Sequence, residues 1–195
     1  MSKILIYPNK ILRQKAVDVD KIDDKLLKQI KDLKDLLEKG DNAAGLAAPQ
    51  IGISRSFFGI KDSDKKVKVF INPKITKIFG DRVYPMIIRE PALTKSAVTE
   101  AMADKEDFLE GCLSFPDYFG TVKRYLKIEV SWMEIKGKKF ITKTKELEGF
   151  EAIVWQHESD HLVGKLFVDY VKKDGGKFYK WDGKEMVKWK IEKVI

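Results

Sequence analysis

Between residues 21 and 39, Ile22, Leu26, Leu27, Ile30, Leu33, Leu36 and Leu37 recur at intervals of three and four, with lysines and aspartates between them. That spacing lines one face of an α-helix and predicts an amphipathic helix whose leucine stripe packs in the core. Gly40 stands where such a helix stops. Before it, Pro8-Asn9-Lys10-Ile11-Leu12-Arg13 reads as a turn entering a short helix. After it, residues 42–52 are rich in small residues and nearly uncharged. β-Branched and aromatic residues then concentrate at 57–61 and 67–72, which predicts two strands. Residues 80–107 contain Pro85 and Pro91, followed by a candidate helical turn at 97–103. A hairpin is predicted with arms 122–135 and 139–147, turning at Lys136-Gly137-Lys138. A second helix is predicted from about Gly149, with Gly164 as its stop signal. The stretch 171–195 alternates aromatics with lysines around Asp182-Gly183, the mark of a second hairpin.

The chain has 195 residues, 44% hydrophobic and 35% charged, enough for one domain with a real core. No apolar run approaches membrane-spanning length, and the apolar stretch after Met1 is too short for a signal peptide. The single cysteine, Cys112, cannot form an internal disulfide, which fits a reducing cytoplasm. The net charge of +8 suggests an anionic partner such as RNA or a ribosome surface, although scattered lysines also describe a plain solvated surface. Residues 171–195 hold eight lysines and four acids, a net +4, half of the chain's excess. The expected organisation is one catalytic domain over 1–170 and a basic extension over 171–195. The extension either packs on the domain as a hairpin or binds a partner.

The only two histidines, His157 and His161, bracket a glutamate in Gln156-His157-Glu158-Ser159-Asp160-His161. Four apart on a helix, they share a face and can hold one metal ion, with Glu158 beside them to move a proton. A hydrolytic metal site needs three protein ligands and an open position. A thermolysin-like enzyme would take a glutamate from a later helix, and the later acids, from Asp169 to Glu192, lie in no obvious one. A metzincin would place a third histidine six residues on, where this chain has Phe167. A metal held through nitrogen and sulfur has only His157, His161 and Cys112 to draw on. A lone cysteine is otherwise an inert, buried small hydrophobe.

Three separated segments resemble the signature motifs of the peptide deformylases: Gly45-Leu46-Ala47-Ala48-Pro49-Gln50, Glu110-Gly111-Cys112-Leu113-Ser114 and His157-Glu158-Ser159-Asp160-His161. They come in that family's order, and the start from Tyr7-Pro8 to Leu12-Arg13 is similar too. The resemblance covers roughly residues 4–170. It implies an α+β fold, antiparallel sheets around a central metal-binding helix. It implies one divalent metal ion held by Cys112, His157 and His161, iron(II) being common in the family and zinc, nickel or cobalt able to replace it. The implied substrate is the formyl-methionine end of a nascent peptide, which is hydrolysed to release formate. Glu158 would carry the proton, and the Gln50 amide and Leu113 N–H would stabilise the oxyanion.

Gly45 is expected to let the backbone approach the substrate, which pairs as an extended strand, with Glu110 and Gly111 beside it and Ala44 placed at the methionine pocket. Phe150, Ile153 and Val154 are placed to line the methionine pocket, and Glu110 and Arg124 to pair behind the cysteine loop. Two other readings stand beside this one: another metallohydrolase acting as a peptidase or amidase, and a ribosome-associated relative with weak activity. Three departures from the family pattern bear on the site. Ala43 replaces a glycine, which alanine could not do without strain at a positive φ. Ser159 stands where an apolar residue is usual. The stretch 80–107 is longer than usual and could form a lid or an altered rim.

Overall fold

The computed structural model describes residues 3–40, 43–62, 64–88 and 105–195, so the candidate turn at 97–103 lies outside it. Residues Lys10–Arg13 form a 3-10 turn. Helix α1 spans Asp24–Lys39, starting later than the apolar pattern predicts. The cause is Asp23, whose carboxylate accepts the Leu26 N–H at 2.6 Å and fixes the helix start there. Leu26, Leu33 and Leu37 of the stripe are fully buried.

Five antiparallel strands follow in one sheet: β1 (Gly45–Ala47), β2 (Phe57–Lys61), β3 (Val67–Phe79) and, after an excursion, β8 (Lys127–Lys136) and β9 (Lys139–Glu148), in the order β1-β2-β3-β8-β9. The strand expected to stop at residue 72 runs on to Phe79. Asn72-Pro73 reads as a terminator because proline cannot donate to a ladder. The chain accommodates it with a shift of register against β8 between Ile71 and Lys74. Asn72 takes φ 46°, and its side chain bonds both the N–H and the carbonyl of Val19 at 2.8 Å. The hairpin of β8 and β9 turns at Gly137-Lys138, but its first arm begins at Lys127 rather than 122. The preceding residues are claimed elsewhere: Arg124 pairs with Val83 through the backbone, and the Leu126 carbonyl accepts the Gly149 N–H.

The excursion holds a two-stranded arm, β4 (Met86–Ile88) with β5 (Lys105–Asp107), then β6 (Glu110–Cys112) and β7 (Phe115–Gly120). Helix α2 (Gly149–Leu162) follows β9, and α3 (Phe167–Asp174) follows α2 and crosses position 170. β10 (Phe178–Trp181) and β11 (Met186–Lys188) then join the second sheet, ordered β11-β10-β7-β6.

Phe57 and Phe58, neighbours in β2, point to opposite faces. Phe57 packs with the α1 leucines, and Phe58 with Ile128, Val130 and Trp155 of α2. The large sheet is thus covered by α1 on one face and α2 on the other. A third cluster joins α3 to the second sheet through Phe115, Phe167, Val171 and Phe178. Among the described residues no helix is long and apolar enough to cross a membrane.

Candidate active site

Helix α2 is buried along most of its length, including Ala152, Trp155, Glu158 and His161. Polar groups inside such a helix must find partners or a ligand. It ends at Leu162, and just beyond it the φ of +71° at Gly164 and the closeness of that residue to the Arg13 backbone both exclude a side chain.

His157 and His161 stand one turn apart with ring centroids at 5.1 Å. The Cys112 Sγ, at the end of β6, lies 3.3 Å from His161 Nε2. One ligand atom from each of Cys112, His157 and His161 falls within 4.8 Å of the others. A sulfur and a nitrogen that share one tetrahedral ion would stand about 3.5 Å apart, given bond lengths near 2.3 and 2.0 Å. The spacing therefore fits an ion, and the donor set of one sulfur and two imidazoles suits a borderline divalent metal.

His157 is oriented from behind. Its Nδ1 is 2.9 Å from Glu110 Oε2, which leaves Nε2 for the cluster. Glu110 takes two further bonds from Arg124, from Nε at 2.7 Å and from Nη2 at 2.9 Å. The Arg124 Nη1 reaches Asp160 at 2.6 Å. Burial opposes the charge on Glu110, yet Arg124 and His157 pull its carboxyl down to about 2. Burial also lowers His161, and with the charges of His157 and Arg124 holds it well below its ordinary value, as a neutral nitrogen ligand requires. At His157 the contacts with Cys112 and Glu110 outweigh burial and hold it well above. A proton there leaves when a cation takes Nε2.

Glu158 is 3% exposed, and burial pushes its carboxyl up to about 7. Its Oε2 has no hydrogen-bond partner among the described residues. Gly45 in edge strand β1 packs directly on it: a Cβ there would sit 2.5 Å from Glu158 Oε1. Gln50 follows in a 3-10 turn, Ala48–Ile51. Its Oε1 accepts the Ala47 N–H at 2.8 Å, which turns the NH₂ toward Cys112 Sγ at 3.4 Å and Ser114 Oγ at 3.2 Å.

A cleft of about 410 Å³ opens over these groups. Ala44, Gly45, Gln50 and Leu113 form part of its wall, as do Phe150, Ile153 and Val154 from α2. Gly111 borders it as well. Glu110 also borders it, but its carboxylate is engaged inward, so what faces a ligand there is backbone. His161 is 2% exposed and sits beneath.

Every residue singled out in the sequence thus gathers at one place. Sequence reasoning missed Asp160, Ser114, Phe108 and Phe119. Asp160 lies inside the histidine motif, three after His157, a spacing that returns it to the same side. Phe108 lines the cleft and meets Phe150 edge-on at 5.9 Å. Nothing in its local sequence marks it.

Of the three departures, Ala43 carries no positive φ and packs as a buried core residue. Among the described residues, Ser159 Oγ is buried without a partner, one turn from the equally unpartnered indole N–H of Trp155. The root of the long stretch is the β4–β5 arm.

A histidine pair on a buried helix, a converging cysteine and a buried carboxyl over a cleft define a metal-dependent hydrolase of the His-Glu-x-x-His class. The chain belongs to the polypeptide deformylase family, whose model matches residues 1–176. It is 35% identical to a peptide deformylase of Desulforudis audaxviator over 167 residues, 86% of this chain and 91% of that one. It is 34% identical to that of Thermotoga neapolitana, with 88% of each chain covered. The crystal structure of the Thermotoga maritima peptide deformylase superposes with a TM-score of 0.67 at 32% identity, covering 87% of this chain and 97% of that one. A Plasmodium falciparum peptide deformylase in complex with an inhibitor gives 0.64 at 29% identity, covering 89% and 93%. The activity of the chain is hydrolysis of the formyl group from the N-terminal methionine of newly made polypeptides.

Proposed function

We propose that Cys112, His157 and His161 hold one divalent ion, iron(II) in the native protein, with zinc, nickel or cobalt as workable substitutes. The carrying observation is the convergence of their three ligand atoms beside a carboxyl that only glycine 45 leaves room for. When bound, the ion supplies Lewis acidity, lowering the pKa of a water and polarising the formyl carbonyl.

Glu158 takes a proton from the attacking water at its free oxygen and delivers it to the methionine nitrogen as the C–N bond breaks. Formate and a free amine leave. The Gln50 amide donates to the developing oxyanion, and its orientation is held by Ala47 so that no reorganisation is needed at that moment. The Leu113 N–H is the second donor. The peptide lies extended along edge strand β1 from Gly45 and past Ala44 just before it, with the backbone of Glu110 and Gly111 opposite. Ile153, Val154 and Phe150 receive the methionine side chain. Arg124 and Glu110 keep His157 turned to the ion.

The protein works in the cytoplasm, where formylated chains emerge. Its basic, aromatic C-terminal hairpin, with Lys180 over Tyr118 and Trp189, contacts the ribosome surface. Formate release from a formyl-methionyl tripeptide by iron-loaded protein tests the reaction, and cleavage of internal peptide bonds without formate would replace it with a peptidase.

A further inference from the structure

The line of contacts behind His157 does not end at Asp160. The Tyr170 hydroxyl, from α3, donates to Asp160 Oδ1 at 2.9 Å, while Arg124 holds the other carboxylate oxygen. Two guanidinium groups lie over the Tyr170 ring. Arg124 is 5.0 Å from its centroid and Arg82 is 5.1 Å. Arg82 is itself fixed by Asp174 Oδ2 at 2.9 Å and by the Lys123 carbonyl, which accepts from its Nη2 and Nε. Arg82 stands just before the β4–β5 arm, whose far end leads into Phe108 of the cleft wall.

We propose that Tyr170 and Arg82 are positioning residues for the metal ligand His157, acting through Asp160, Arg124 and Glu110. This rests on the metal-site reading above. One guanidinium serves two carboxylates: Arg124 gives one edge to Glu110 and its remaining amino group to Asp160. Its plane can therefore satisfy Glu110 only while Asp160 stays in place. Asp160 has one oxygen on Arg124 and needs a second tether to stop it swinging toward solvent. Tyr170 is that tether. Arg82 also holds the ring, since a cation over an aromatic face is attracted to it. The root of the arm and the orientation of the His157 imidazole thereby share one contact chain.

The full chain loaded with cobalt(II) tests this, because the ion's sulfur charge-transfer band and visible spectrum report the ligands directly. Tyr170→Phe keeps the ring and loses only the hydroxyl. It is expected to speed cobalt loss to a chelator about tenfold, the low end for removal of a group behind a ligand. The visible bands should shift and kcat fall while KM for a formyl-methionyl peptide stays. Arg82→Ala is expected to act in the same direction with a smaller effect, and carries the test should Tyr170→Phe not fold. Thr76→Val removes a hydroxyl bonded to Glu129 in the large sheet, off this line, and is expected to leave cobalt loss unchanged. Cobalt loss within twofold of the parent in both Tyr170→Phe and Arg82→Ala would overturn the proposal. So would an equal acceleration in Thr76→Val, which would signal general loosening. A charge-transfer band that survives Cys112→Ser would instead bring down the metal-site reading, and this proposal with it.

Discussion

Gly45 and Glu158 are 113 positions apart in the chain and in contact in the fold, and each explains the other. A buried carboxyl with an unpartnered oxygen is costly unless it serves chemistry. Glu158→Gln keeps the shape and loses the proton acceptor. Turnover should fall at least about a hundredfold while metal content, measured by atomic emission, stays at one ion per chain. Gly45→Ala forces a methyl group against the same carboxyl. It should lower kcat by up to about a hundredfold through displacement alone, with metal content again unchanged. Gln50→Leu removes a donor whose direction is set by the Ala47 N–H. Its loss should appear in kcat rather than KM, at about a hundredfold.

At the scale of elements, α1 and β2 were legible because their periods are clean and their burial is one-sided. The α1 stripe makes a graded prediction. Leu33→Ala, at a position with no exposure, should cost about 2–5 kcal/mol in urea unfolding, whereas Leu27→Ala, at 45% exposure, should cost within about 0.5. The full reach of β3 was not legible, because Asn72-Pro73 carries a stop signal that only the distant backbone of Val19 overrides. Residues 122–126 carry a strand pattern yet leave the sheet, since Arg124 is drawn inward by Glu110 and Asp160. Helix α3 passed unread because its eight residues are too short for a periodic signal. The proposed metal ligands were legible for the opposite reason. Histidine and cysteine are so scarce here that their spacing alone carried information. The contacts behind them, Asp160, Tyr170 and Arg82, are common residue types whose meaning is wholly tertiary.

Taken whole, the molecule sets the three proposed ligands on two bodies. His157 and His161 ride on a helix packed against the five-stranded sheet, and Cys112 ends a strand of the four-stranded sheet. An ion between them binds the folded state only, so chelation should lower the melting temperature. At a hundredfold excess over Kd the loss is about 2.7 kcal/mol. The C-terminal hairpin is part of the same body: β10 pairs with β7, whose Phe115 and Phe119 line the cleft. Its surface charge is therefore better tested by substitution than by removal. Changing the exposed Lys184, Lys188 and Lys190 to glutamate should reduce cosedimentation with ribosomes and flatten its salt dependence, while leaving turnover of a free tripeptide intact. Hydrolysis of formyl-methionyl peptides is assigned to the proposed Cys112, His157 and His161 centre. The direct measurement is formate release from a formyl-methionyl tripeptide by anaerobically iron-loaded protein, run beside Glu158→Gln and Cys112→Ser. The account predicts steady formate production that both substitutions abolish. No formate from the loaded parent, or undiminished formate from either variant, would contradict it.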